Sequence, residues 1–181
     1  ERWAVDYANL GAEYHYAGQY SKEKKLYNEA EKYFPDNPEI IRLKAILALA
    51  QNDLKTVNYY IEKYKFSLKE KSSSEAEIIM KVAIIYSEGN SLDKAEKLFR
   101  QALVLDPENP ERMNYLAYFL IDKDRNISGG LELIDKALKL SPDNSFYLHW
   151  KGWGLYKRGE YKEALKLLEK SDSLKPVYIH E

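Results

Sequence analysis

The chain has 181 residues, of which 45% are apolar, enough for a continuous core and too few for two large domains. Its 28 basic and 29 acidic residues leave a net charge of −1, which gives no electrostatic reason to expect nucleic acid or an anionic membrane as partner. With no cysteine it can build neither a disulfide framework nor a thiolate metal site, and no apolar run approaches the ~20 residues that cross a bilayer.

In chain order, the first unit (4–37) reads as two helices. Leu10, Gly11 and Tyr14 lie in LGAEY, a turn follows at GQY, and Tyr27 and Ala30 precede the break FPDNPE. The second (38–71) carries Ile41 and Ala45, the turn QNDL, then Val57 and Ile61. The third (76–109) has Ala83 and Tyr86, then Ala95, Phe99 and Ala102 in LDKAEKLFRQALVLDP. The fourth (110–144) has Leu116, Ala117 and Leu120, a longer turn DKDRNI, then Gly130, Ile134 and Ala137. The fifth (145–178) aligns Leu148, Gly152 and Leu155 at i, i+4, i+7, breaks at RGEY, and continues with Ala164, Leu165 and Leu168. Residues 177–181 read as the start of a truncated sixth unit, and a sequence opening Glu-Arg-Trp reads as a segment of a longer protein.

Proline ends the first, third, fourth and fifth units, because it lacks the N–H a continuing helix needs, and a following Asn or Asp can cap the next helix. The intervals between Pro35, Pro107, Pro142 and Pro176 are 72, 35 and 34, a period of 34 with one extra residue in the fourth turn. The four extra residues in the first interval are assigned to SSSE, Ser72 to Glu75. Strand-like alternation is absent. The chain is expected to be an all-α, superhelical array of antiparallel helix-turn-helix repeats, about five of them, in one solenoid over 1–181.

This pattern resembles the tetratricopeptide repeat, whose period is 34 and whose core reads W-x2-L-G-x2-Y…A-x3-F…P. The second unit departs most, with Lys44 where leucine is usual. The residue usage and the style of GLELIDKALKLSPDN look bacterial. The resemblance implies core packing for Tyr14, Tyr27, Tyr86, Phe99 and Tyr161. It also implies that the first helix of each hairpin lines a concave groove holding a peptide, extended or helical.

Chemistry-bearing constellations are missing from the sequence. His15, His149 and His180 are far apart, no HExxH or Gly-rich phosphate loop occurs, and no serine sits in G-x-S-x-G. Neither enzymatic activity nor a cofactor or metal is expected. The lysine clusters SKEKK and EKYKFSLKEK are interleaved with glutamate and read as solvated faces, so no nucleic acid is expected.

A helical wheel at ~100° per residue puts three columns along the groove. They read Ala12, Ile46, Ile84, Tyr118, Trp153; then Ala8, Arg42, Met80, Asn114, His149; then His15, Leu49, Ser87, Ile121, Tyr156. Phe146 shares the flank of His149, Trp153 and Tyr156, Trp150 lies further round, and Tyr147 points toward the preceding hairpin. The Lys and Asn positions by which some family members clamp a C-terminal carboxylate hold Ala8, Ala12, Arg42, Ile46, Met80 and Ile84, so that clamp is absent. Arg42, Lys81 and Lys157 leave some positive charge for an acidic contact.

The partner-binding residues are therefore expected to be Arg42, Met80, Ile84, Asn114, Tyr118, Ile121, His149, Trp150, Trp153 and Tyr156. They would bind a protein or peptide mainly through the aromatic C-terminal half. The alternative is a structural spacer, possible as a homo-oligomer, in which the aromatic flank is a subunit or intramolecular interface. A groove for a small apolar or aromatic molecule ranks third. Compartment is left open, cytoplasm or periplasm.

Overall fold

The structure, a computed structural model, describes residues 4–174, which form ten helices and no strand. The helices are α1 Ala4–Tyr16, α2 Tyr20–Tyr33, α3 Pro38–Ala50, α4 Leu54–Glu70, α5 Glu75–Glu88, α6 Leu92–Leu105, α7 Pro110–Asp122, α8 Ile127–Leu140, α9 Ser145–Lys157 and α10 Tyr161–Ser173. The expected start of a sixth unit at 177–181 lies outside the described residues.

Turn chemistry explains the pairing. The second residue of each odd-to-even turn is left-handed: Gly18 (φ 66°), Asn52 (55°), Asn90 (57°), Asp124 (53°) and Gly159 (84°). Glycine, asparagine and aspartate are the residues that tolerate this conformation. In every one of these turns the next N–H reaches back five residues to a helix carbonyl: Gln19 to Tyr14, Asp53 to Ala48, Ser91 to Tyr86, Arg125 to Leu120 and Glu160 to Leu155, at 2.8–3.0 Å. Those bonds stop one helix and reverse the chain into the next.

The opposite connections are four residues long and end in a cap. Asn37, Asn109 and Asn144 each accept two N–H groups of the next first turn at 2.9–3.3 Å. Pro38 and Pro110 follow as first helical residues, where the missing N–H costs nothing. Ser74 caps α5 in the same place, with Oγ accepting Glu77 N–H at 3.2 Å.

This corrects the reading of SSSE as an insertion. Three extra residues lengthen α4, which has 17 against 14 in α2, α6 and α8, and one lengthens α5 to 14 against 13 in α1 and α3. Tyr64 and Leu68 are buried and the Ser67 hydroxyl donates to the Tyr64 carbonyl, so packing carries α4 one turn further. The extra residue of the fourth repeat does lie in its turn, 123–126.

The described chain falls into two compact units, one up to Leu98 and one from Phe99, with α6 running across the division. The first has a core of Tyr7, Leu26, Tyr27, Ala30, Ile40 and Leu47. The second centres on Ala117, Ile121, Leu131, Ile134, Leu155 and Ala164, with Met113, Ala137 and Tyr147 beside it.

Small residues recur at equivalent repeat positions, Gly11, Ala45, Ala83, Ala117 and Gly152 on odd-numbered helices and Ala95, Gly130 and Ala164 on even-numbered ones, with Val57 in the second repeat. A β-carbon at Gly130 would lie 3.0 Å from the Ala117 carbonyl oxygen, and one at Gly152 would lie 3.1 Å from that of Ala164. The first repeat breaks the pattern with Glu23, which is 1% exposed. Both its oxygens lie 3.0 Å from His15 Nδ1. Burial raises the Glu23 pKa, against the hydrogen bond and charge of His15 and the hydroxyl of Tyr27.

The irregular second repeat has a similar answer. Lys44 is buried, donates to Glu31 Oε2 at 2.5 Å and lies 5.0 Å from the centre of the Tyr60 ring. A lysine fills the leucine position because its stem packs and its ammonium finds an internal counter-ion. Tyr27, Tyr86 and Phe99 are core residues and Tyr14 packs on the first core, whereas Tyr161 is exposed. The Tyr161 ring stays outside, tilted against Tyr156 at 5.5 Å.

Candidate functional site

Within the second unit, α7 and α9 enclose an open groove of about 480 Å³. Helix α7 contributes Glu111, Asn114, Tyr115 and Tyr118; Asn144, Phe146, Tyr147 and Trp150 come from the α9 side. The cap at Asn144 fixes where α9 starts, and Tyr147 turns onto Met113 and Ala137, anchoring it to the preceding hairpin. Phe146 is left 71% exposed at the rim. On the floor, Tyr118 and Trp150 meet with ring centroids 4.4 Å apart and planes at 49°. The edge of His149 meets Trp150 at 5.2 Å and 88°.

Of the ten expected binding residues, Asn114, Tyr118 and Trp150 converge on this groove, with His149 against Trp150. Trp153 and Tyr156 form a separate surface, their rings stacked at 5.2 Å and 15°, with Lys157 Nζ 5.9 Å from the Trp153 centroid. Trp153 is also partly buried against the core of the second unit. Met80 and Ile121 are interior side chains and cannot line a groove. Each belongs to a helix buried over more than one face, so a wheel position beside the core becomes core. Ile84 is half-buried in the first unit.

The positive charges expected to meet an acidic partner are already taken. Arg42 holds Glu39 at 2.6 Å and also pairs with Glu88. Lys81 holds Glu77 at 2.7 Å; Lys157 holds Asp124 at 2.8 Å and donates to the Asp122 carbonyl at 3.0 Å. Among the eight groove residues only Glu111 is charged, and its Oε2 accepts from buried Arg112 at 3.1 Å. Burial raises the Tyr147 pKa, and the nearby charge of Glu111 adds to the effect.

Glu111, Tyr115 and Phe146 were not among the expected binding residues. The wheel gives angle but not stagger along the axis. Trp150 therefore pairs with Tyr118, although Trp153 is the residue at the equivalent repeat position. The i, i+4 pairs Asn114–Tyr118 and Phe146–Trp150 are the signal that would have found the site.

A second, smaller pocket of about 170 Å³ lies in the first unit beside Lys44 and Tyr60, next to the Lys44–Glu31 pair. Among the described residues no group of three His, Cys, Asp or Glu side chains could hold a metal, and no helix is long and apolar enough to cross a membrane.

Residues 76–109 match the tetratricopeptide repeat. Over 155 residues the chain is 26% identical to a TPR repeat-containing protein of Pseudomonas aeruginosa, covering 86% of this chain and 26% of that protein. Over 86 residues it is 38% identical to a TPR repeat-containing protein of Methanocaldococcus jannaschii, covering 48% of this chain and 15% of that one. The chain thus spans about a quarter or less of the length of these relatives. Among solved structures it resembles YrrB, described as a TPR protein with an unusual peptide-binding site. That likeness has a TM-score of 0.55 at 12% identity, covers 97% of this chain and 88% of that one, and is one of fold.

Proposed function

This chain is a tetratricopeptide-repeat protein, and we propose that it serves as a non-catalytic interaction module whose α7–α9 groove holds a peptide segment of a protein partner. The supporting observation is the aromatic lining. Tyr118, Trp150 and exposed Phe146 line the groove, at positions other than the small residues Ala117 and Gly152 where the paired helices approach closely. Rings with polar tips bury much area at little entropy cost, which suits them as anchors. A groove of about 480 Å³ falls within the range of ligand-sized clefts.

Display selection of random twelve-residue peptides on the wild-type protein tests this reading. Selected peptides are expected to lose binding to Phe146→Ala and Tyr118→Leu variants whose melting temperatures are close to wild type. Peptides that bind both variants as well as wild type would remove the groove from the account.

A second reading has its own support. Leu131 is 5% exposed, because the next hairpin covers it: a β-carbon on Gly154 of α9 would lie 2.8 Å from Leu131 Cδ2. Leu165, 34 residues later, is 59% exposed beside exposed Tyr161. That face of α10 would suit a subunit interface in a structural spacer. Light scattering across a hundredfold concentration range separates the two: growth in size abolished by Leu165→Glu favours the spacer, and a constant monomer removes it.

A further inference from the structure

We propose that the occupant of the α7–α9 groove is an extended peptide segment that inserts an arginine side chain between the aromatic floor and Glu111; this rests on the groove reading above. Three features of the same groove support it.

The first is the floor. Aromatic faces carry negative quadrupole potential and attract guanidinium groups within about 6 Å of the ring, more strongly where water is excluded. The Tyr118–Trp150 pair supplies two such faces, with Phe146 at the rim.

Charge is the second. Glu111 is the charged member of the lining; its side chain is 56% exposed, and Arg112 pairs with Oε2 at 3.1 Å, which leaves Oε1 to receive a guest donor. Lys151 and Lys157 on the same helix α9 are held by Asp135 at 2.7 Å and Asp124 at 2.8 Å. No lysine or arginine lines the groove, so it offers an acidic guest no partner of opposite charge. His149 lies against Trp150, so the test is run at pH 8, above the usual imidazole range.

The third feature is a waiting acceptor. Asn114 Oδ1 is buried and has no hydrogen-bond partner. Asn114 itself lines the groove. A buried acceptor left unmatched is costly, and a donor from a ligand would remove that cost. Arginine suits this better than lysine. Its planar fork can stack on Trp150 while donating to Asn114 and Glu111 at once, where an ammonium presents a compact, more strongly hydrated charge.

The test uses three nine-residue peptides, otherwise Gly and Ala, with arginine, citrulline or glutamate at the centre. Each is titrated into the full chain and followed through the Trp150 indole and Asn114 carboxamide signals in NMR spectra. Citrulline keeps the shape and most donors of arginine and removes the charge. The arginine peptide is expected to shift both signals and to bind about tenfold more tightly than the citrulline peptide. Glu111→Gln is expected to weaken the arginine peptide several-fold, and 0.5 M salt to do the same. Equal binding of the citrulline or glutamate peptide at these signals would overturn the cation assignment and leave the groove standing. Failure of all three to move the signals would also overturn it, while the display selection judges the groove independently.

Discussion

Gly152 is a position at which repeat pattern and local geometry make opposite predictions. The second, third and fourth repeats carry Ala45, Ala83 and Ala117 there. On pattern alone, Gly152→Ala would gain about 1 kcal/mol from helix propensity. Geometry predicts a loss. The new β-carbon would lie 2.8 Å from Leu168 Cγ and 3.1 Å from the Ala164 carbonyl oxygen, and no rotamer change relieves the second contact. Inserting a methyl into a filled crossing costs about 1–3 kcal/mol, so after the propensity gain the net loss is about 1 kcal/mol. Trimming the obstacle with Leu168→Ala should cost less in the Gly152→Ala background than alone, because the added methyl fills part of the space. A coupling of about 1 kcal/mol is expected for groups in direct contact. Urea unfolding followed by circular dichroism on wild type, both single variants and the double variant measures every term. A stabilised Gly152→Ala whose effect adds to that of Leu168→Ala would refute the close crossing of α9 and α10.

Two further predictions concern the first unit. Burial alone would raise the Glu31 pKa, but the hydrogen bond and charge of Lys44, joined by Lys63, carry it below the usual carboxylate value. A lowered folded-state pKa stabilises above the unfolded value, about 4.3, and that stabilisation is lost as pH falls through the folded value. Thermal melts from pH 7 to pH 3 should therefore show Glu31→Gln less stable than wild type at neutrality, with the gap closing in acid; a gap constant with pH would contradict the ion pair. At Asn90 (φ 57°), Asn90→Gly should keep or gain a few tenths of a kcal/mol while Asn90→Val loses about 1–2, read by the same melts. Equal stability of these two variants would show that the left-handed turn does not set the hairpin.

Most of the fold was legible in sequence because it is written locally and repeatedly. Turn residues with left-handed backbone recur at Gly18, Asn52, Asn90, Asp124 and Gly159, and asparagine caps recur at Asn37, Asn109 and Asn144. Such signals act within a few residues, so one sequence suffices to read them. What was missed depended on neighbours. The longer α4 rests on tertiary burial of Tyr64 and Leu68, which no serine count reveals. Lys44 reads as a break in pattern until its partner Glu31 is located, and buried Glu23, held by His15, carries no signal in the sequence. The groove was half legible for a similar reason. Asn114, Tyr118 and Trp150, three of the expected residues, line the α7–α9 groove together with Tyr115 and Phe146, which the wheel did not single out, whereas Trp153 and Tyr156 lie on another surface.

The central claim, that the α7–α9 groove binds a peptide, is tested most directly by titration calorimetry. The tightest display-selected peptide would be titrated into wild type and into Phe146→Ala, a rim residue exposed enough for its loss to leave the fold intact. The account predicts at least about tenfold weaker binding with an unchanged melting temperature, the effect of truncating an interface anchor. Equal affinity for the two proteins would contradict it.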